Sequence, residues 1–197
     1  MSLLAHLARP AAALVGLLLV AGVALAQPQP TDAQRQAAVE VAESLRYGHY
    51  ADISLDDAWS RRAFERYLEM LDGQRAFLLA EDVDAIRHLE SRIDDALFDG
   101  ELEEIYALYH RYHERAEARF EWLLERLDEG LDFTYDSDMR LELERDEAPW
   151  AEELAELDEL WFKRLKNAAL TLAISDQDAE QVENNLRQRY EGQLNRV

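Results

Sequence analysis

Between Glu101 and Asp128 the apolar residues Leu102, Ile105, Tyr109, Tyr112, Ala116, Phe120, Leu123 and Leu127 step by three or four. That spacing draws one stripe along a helix of period 3.6. Glu103, Glu104, Arg111, Glu114, Arg115, Glu121 and Glu125 fall on the other face and belong in water. A helix of 28 residues is a rod of about 42 Å, longer than a small domain is wide. Tyr106, Leu108, Trp122 and Leu124 widen the stripe beyond a two-helix seam. The pattern predicts a spine helix with partners on more than one side, at the centre of an all-α bundle.

The same periodicity, with turn and cap signals, predicts about six helices in all. The first begins near Thr31, where Thr31-x-x-Gln34 forms a capping box, and breaks near Tyr47-Gly48-His49-Tyr50. Val39, Ala42 and Leu45 are its apolar face. The second starts at Ser54, capped in the pattern Ser54-x-x-Asp57, and ends at Asp72-Gly73 with a glycine suited to a left-handed cap. A third runs from Ala80 to Leu97 on the stripe Val83, Ile86, Leu89, Ile93 and Leu97, and Asp99-Gly100 links it tightly to the spine. Glu129-Gly130 closes the spine. Residues 131–149 carry no helical period; Leu141 and Leu143 alternate with Glu142 and Glu144, which predicts a short strand or an extended strap across the bundle. A fifth helix runs from Pro149 to about Thr171. The last starts at Ser175, capped by Ser175-x-x-Asp178, and its stripe Val182, Leu186, Tyr190, Leu194 and Val197 reaches the final residue. An unfinished stripe leads to the expectation that this helix packs against something further along a longer reading frame.

Residues 1–26 stand apart from this pattern. Arg9 precedes an uncharged apolar run from Ala11 to Val23, and Ala24-Leu25-Ala26 has the small-x-small form cut by signal peptidase. The run is shorter than the roughly 20 residues that span a bilayer, and Gln27-Pro28-Gln29-Pro30 ends any helix. A cleaved signal peptide, export to the periplasm and no stable membrane span in the mature chain are therefore expected, leaving residues 27–197 as one domain. That mature segment holds 20 Lys plus Arg against 42 Asp plus Glu, a net charge of −22. Such a field repels phosphate backbones and argues against nucleic-acid partners. Cysteine is absent, which excludes disulfides, thiol chemistry and thiolate metal sites.

Candidate chemistry is sparse. His110 and His113 lie three apart on the spine with Glu114 and Glu117 nearby, but the Glu-x-x-His motif of diiron bundles fails because Ala107 precedes His110. The same test fails at His88, preceded by Ala85. Asp132, Thr134, Asp136 and Asp138 have calcium-loop spacing, yet Ser137 stands where the loop needs Gly and Leu143 where it needs Glu. Trp59, Trp122, Trp150 and Trp161 fall mostly on apolar stripes and read as core. From Glu142 to Glu159 nine acids face Arg145 alone, a solvated face or, more sharply, a surface for a basic partner. No catalytic, cofactor-binding or metal-ligating residue is assigned.

Three blocks carry a family resemblance. The first joins Arg66-Tyr67-Leu68-Glu69-Met70-Leu71-Asp72, a short turn, and Phe77-Leu78-Leu79-Ala80-Glu81-Asp82-Val83. The second comprises Asp132-Phe133-Thr134, then Arg145-Asp146-Glu147-Ala148-Pro149-Trp150, then Leu157-Asp158-Glu159-Leu160-Trp161. The third is Leu186-Arg187-Gln188-Arg189-Tyr190. Together they resemble the N-terminal helical region of tail-specific, or carboxy-terminal processing, proteases over roughly residues 45–195. The resemblance implies a periplasmic serine endopeptidase with a Ser/Lys dyad, recognising nonpolar C-termini. In that family the dyad lies in a protease domain downstream of a PDZ module, and neither domain is present here. Only Lys163 and Lys166 occur in the chain, no Ser lies near them in sequence, and seven glycines are too few for a carboxylate-binding or oxyanion loop. The implied partners of this helical portion are the downstream PDZ and protease domains, an adaptor lipoprotein and protein substrates. Two function classes follow: a scaffold and docking domain within such a protease, or a free-standing periplasmic adaptor bundle descended from it. A metal-binding bundle is the third and weakest class.

The Ala24-Leu25-Ala26 pattern makes one direct prediction. The exported protein, measured by intact mass, begins at Gln27; a membrane-retained species that keeps Met1 contradicts it.

Overall fold

The computed structural model describes residues 28–48, 54–130 and 138–197. The signal segment, the helix break at His49-Tyr50, the first part of the strap and the calcium-like residues Asp132, Thr134 and Asp136 lie outside these. The described chain is all-α, with seven helices: α1 (Asp32–Gly48), α2 (Asp57–Asp72), α3 (Ala80–Ala85), α4 (Ile93–Asp99), α5 (Glu103–Asp128), α6 (Leu154–Ala173) and α7 (Ala179–Leu194).

The spine is α5, and its two halves serve two different cores. Its N-terminal half contributes Leu108 to a cluster with Phe64 of α2, Leu78, Val83, Ile86, Leu89 and Ile93. Its C-terminal half contributes Ala116, Phe120, Leu123 and Leu127 to a cluster with Leu160, Trp161, Leu165 and Ala169 of α6 and Val182, Leu186 and Tyr190 of α7. Tyr112 sits between them and touches both. Leu79, Ala151 and Leu157 form a small bridge of buried apolar residues beside them. Among the described residues no helix is long and apolar enough to cross a membrane.

Several expectations about boundaries change, each for a local reason. The predicted helix over 80–97 is broken: α3 stops at Ala85, a 3-10 turn covers Arg87–Ser91, and α4 resumes at Ile93. Val83, Ile86 and Leu89 step by three, and all are buried. A tightened helix of three residues per turn brings such a set into line, where an α-helix would spread it over about 120°. The backbone obliges: Ile86, Leu89 and Arg92 amides donate to the carbonyls of Val83, Ile86 and Leu89. Ser60 and Asp94 then lock the element onto α2, with Ser60 Oγ donating to the Asp94 carboxylate and accepting from the Asp94 amide at 2.9 Å.

Caps shift as well. The N-cap of α2 is Asp56, not Ser54, and its carboxylate accepts from Trp59 N at 2.9 Å. The N-cap of α7 is Asp178, not Ser175, paired reciprocally with Gln181. In both, a carboxylate outcompetes a hydroxyl, since an anion also gains from the positive helix end. α6 begins at Leu154, not Pro149, because Ala151 is drawn into a parallel bridge with Leu79 and Glu153 and Glu156 form the cap. The Thr31–Gln34 box stands as expected. Gly100 is left-handed at φ 70° and ends α4, and an added Cβ would meet Arg35 and Val39 of α1 at 3.4 and 3.5 Å. The spine face is rotated slightly: Tyr109 is exposed, while His110 and Arg119 are buried. Of the predicted strand there is no ladder among the described residues; 138–149 is an irregular strap with a turn at residues 146–148, in which Leu141 packs on the core and Leu143 is exposed.

Tyr67 of α2 ties the first core to the spine, its hydroxyl donating to Ile105 O at 2.9 Å. Burial pushes this phenol up to about 12, and burial also raises Tyr112 and Tyr190. A raised phenol pKa means the fold favours the neutral form, so the stability is fully present below pH about 10 and is lost as pH climbs towards the folded value. Urea midpoints should therefore fall between pH about 10 and about 12. Tyr67→Phe should be less stable at pH about 9 but lose less over that interval; an unchanged slope counts against Tyr67 as a contributor.

Candidate functional site

Described residues of the first and second sequence blocks meet in space at one turn, and Tyr190 of the third reaches it through Phe120. At the end of α2, Asp72 folds its side chain forward over the chain that follows it. The carboxylate accepts from Ala76 N at 2.8 and 3.0 Å, Phe77 N at 2.8 Å and Leu78 N at 2.9 Å. Only 4% of the residue is exposed. An anion at a helix C-terminus is opposed by the helix dipole, so the three amides have to offset both that and the loss of water. The cap is therefore made by Asp72 rather than by a left-handed glycine. Gly73 has φ −63°, and the left-handed position falls on Arg75 at φ 46°. Gly73 is still constrained, since an added Cβ would stand 2.6 Å from the Glu69 carbonyl oxygen.

The second block contributes directly to this turn. The Arg75 guanidinium donates to Ala148 O and lies 5.2 Å from the centre of the Trp150 ring. Trp161 Nε1 donates to Ala76 O at 2.6 Å. Phe77 projects among Tyr112, Phe120 and Trp161, with ring centres 5.5, 5.9 and 5.1 Å away. Tyr190 of α7 stacks on Phe120. One residue further on, Ala80 N donates to Ala151 O at 2.9 Å. Asp82 accepts from Leu79 N at 2.9 Å and from Arg115 Nε of the spine at 2.8 Å. The Asp82 hydrogen bond, more than any other contact, raises the Arg115 pKa above its usual value. Arg164 lies 4.9 Å from the Trp161 ring centre, and burial, then the nearby Arg145 charge, lowers its pKa.

The residues singled out for chemistry do not converge. His110 is buried because its Nε2 donates to Pro28 O at 2.6 Å, pinning the N-terminal segment to the spine. The neighbouring His113 lies 2.7 Å, through Nδ1, from Val197 O, and its ring packs at a tilt against Tyr109. His88 pairs with Glu104. Among the described residues no three His, Asp or Glu are grouped so as to hold a metal ion. Lys163 pairs with Glu159 at 2.6 Å, Ser60 with Asp94, and Ser175 Oγ donates to Thr171 O. Trp161 is buried in the core of α6 and α7, Trp59 and Trp150 pack against the other core, and Trp122 is half-exposed between Arg119 and Arg126. Sequence reasoning missed Arg119, buried and paired with Asp158 at 2.6 Å. Its signal was an arginine one position before Phe120, on the edge of the apolar stripe.

What the geometry defines is a helical bundle domain whose most specific residues build a packing junction rather than a set of reacting groups. The family model "Tail specific protease N-terminal domain" matches residues 41–197, and the chain belongs to that family. A tail-specific protease of Haemophilus influenzae is 27% identical over 171 residues, an alignment covering 86% of this chain and 24% of that protein. The chain thus spans about a quarter of the length of this curated relative.

The junction makes its own prediction. Asp72→Ala leaves the amides of Ala76, Phe77 and Leu78 facing a void and should cost about 3 kcal/mol or more in urea unfolding. Trp161→Phe, which frees only the Ala76 carbonyl while keeping most of the ring, should cost about 1–3 kcal/mol. An Asp72→Ala protein within about 1 kcal/mol of the parent would contradict the role given to this carboxylate.

Proposed function

We propose that this chain is a non-catalytic scaffold and docking domain of a periplasmic tail-specific serine endopeptidase, one that takes proteins by their nonpolar C-termini. The observation that carries the proposal is the match of residues 41–197 to the N-terminal domain of these proteases, together with an alignment confined to 24% of a protease relative. The internal arrangement supports it. Asp72, Phe77, Asp82, Trp161 and Tyr190, taken from the blocks shared with the family, are all engaged in holding helices together. The export signal read at residues 1–26 supports a periplasmic site of action. On this reading the Ser/Lys dyad and the site for the substrate's C-terminus belong to other domains of the same polypeptide.

The experiment is twofold. The isolated chain, mixed with a peptide ending in apolar residues, should give no cleavage, and a covalent serine-directed probe should label nothing. Fold-dependent labelling at Ser44, Ser54, Ser60, Ser91, Ser137 or Ser175 would overturn the scaffold role. Reading the nucleotides after the Val197 codon then separates the two scaffold readings. An open frame encoding PDZ and Ser/Lys protease domains supports the proposal, whereas a stop codon with no protease gene nearby favours a free-standing adaptor.

A further inference from the structure

Helix α1 stands outside both cores. Among the described residues, none of α1 packs into the two large apolar clusters or the bridge beside them. Of the described elements it rests on α4 alone. Ala42 is the one buried residue among those described in α1; Ala38, Val39 and Leu45 are half-buried, and Val41 and Tyr47 are 58% and 78% exposed. Burying an alanine takes little more than a methyl group out of water, so apolar contact holds this helix weakly. By contrast, α6 and α7 send five and three buried side chains inward.

Polar contacts supply the remaining hold. Arg35 Nη1 donates to Gly100 O at 3.3 Å and pairs with Glu103 of the spine at 2.6 Å, while Arg35 Nη2 donates to Pro30 O at 3.3 Å. His110 of the spine holds Pro28 O, and the Arg46 guanidinium lies 5.3 Å from the Phe98 ring centre. Water can replace each of these partners once they separate, so their net hold is small beside that of a packed core. Segments with few buried apolar contacts open locally at low free energy. We infer that residues 28–48 form a cover that opens as a unit while both cores stay folded, with Arg35 as its latch. Opening bares the face of α4 turned towards α1. It also removes one wall of a cleft of about 260 Å³ that Gln29 shares with Glu103, His110 and Glu114. This cover does not depend on the scaffold role proposed above.

The test is native-state hydrogen exchange on the full chain at low urea. An isolated helix of 17 residues is marginal in water, so the α1 amides exchange once the helix leaves α4. Amides of 36–47 should be protected at least about a hundredfold less than those of Leu123 and Leu165. They should also respond little to urea, because a local opening exposes little surface. Arg35→Ala should lower the α1 protection about tenfold further and leave Leu123 and Leu165 unchanged. Arg35→Lys, which keeps the charge but loses the fork, should fall between the two. The inference is overturned if the α1 amides of the parent are as protected as Leu123 or exchange only through the global urea transition. It is also overturned if Arg35→Ala leaves α1 unchanged or lowers protection in α1 and both cores alike.

Discussion

A single buried carboxylate governs how the two cores are joined. Asp72 sits where a helix dipole is negative and water is excluded, so its charge is tolerable only if the chain beyond it turns back and presents amides. That requirement bends residues 73–78 into one conformation. The turn in turn places Phe77 between the spine and α6, points the Ala76 carbonyl at the Trp161 indole, and sets Leu79 against Ala151.

The spine works differently, by being long. A helix of 26 residues outlasts a single layer of partners, and here it is shared, with α2, α3 and the 3-10 turn against one half and α6 and α7 against the other. The two halves need different surfaces, which is why its apolar stripe is wide and why Tyr112, at the crossover, touches both. Charged residues at the seams are satisfied rather than removed: Arg115 on Asp82, Arg119 on Asp158, Arg187 on Asp128. These three arginines each find a carboxylate close by, and breaking such a pair would strand a charge in a poorly solvated place.

This organisation fits a domain of the tail-specific protease family whose identity lies in its packing. The residues of this chain that build the Asp72 junction are large aromatics and buried acids, groups hard to replace once a helix junction has formed. The outer faces are left acidic.

Much of this was legible along the chain. A period of 3.6 is a local property, so the spine, the all-α class and the faces of α2, α6 and α7 follow from residue spacing alone. Other features depended on contacts between distant residues. The 3-10 turn at Arg87–Ser91 packs on α2 while α3 packs on the spine, and sequence spacing did not say that one predicted helix would serve two neighbours. The true caps, Asp56 and Asp178, were one choice among adjacent polar residues, settled by which carboxylate can reach a free amide. The family blocks could be read as blocks, but not as one place. Asp72, Ala76 and Trp161 are up to 89 positions apart in sequence, and only the folded chain brings an indole to a carbonyl. The sequence alone determined which surfaces must be buried; tertiary structure decided which of them meet, because burial is a one-residue preference and a hydrogen bond needs two partners in register.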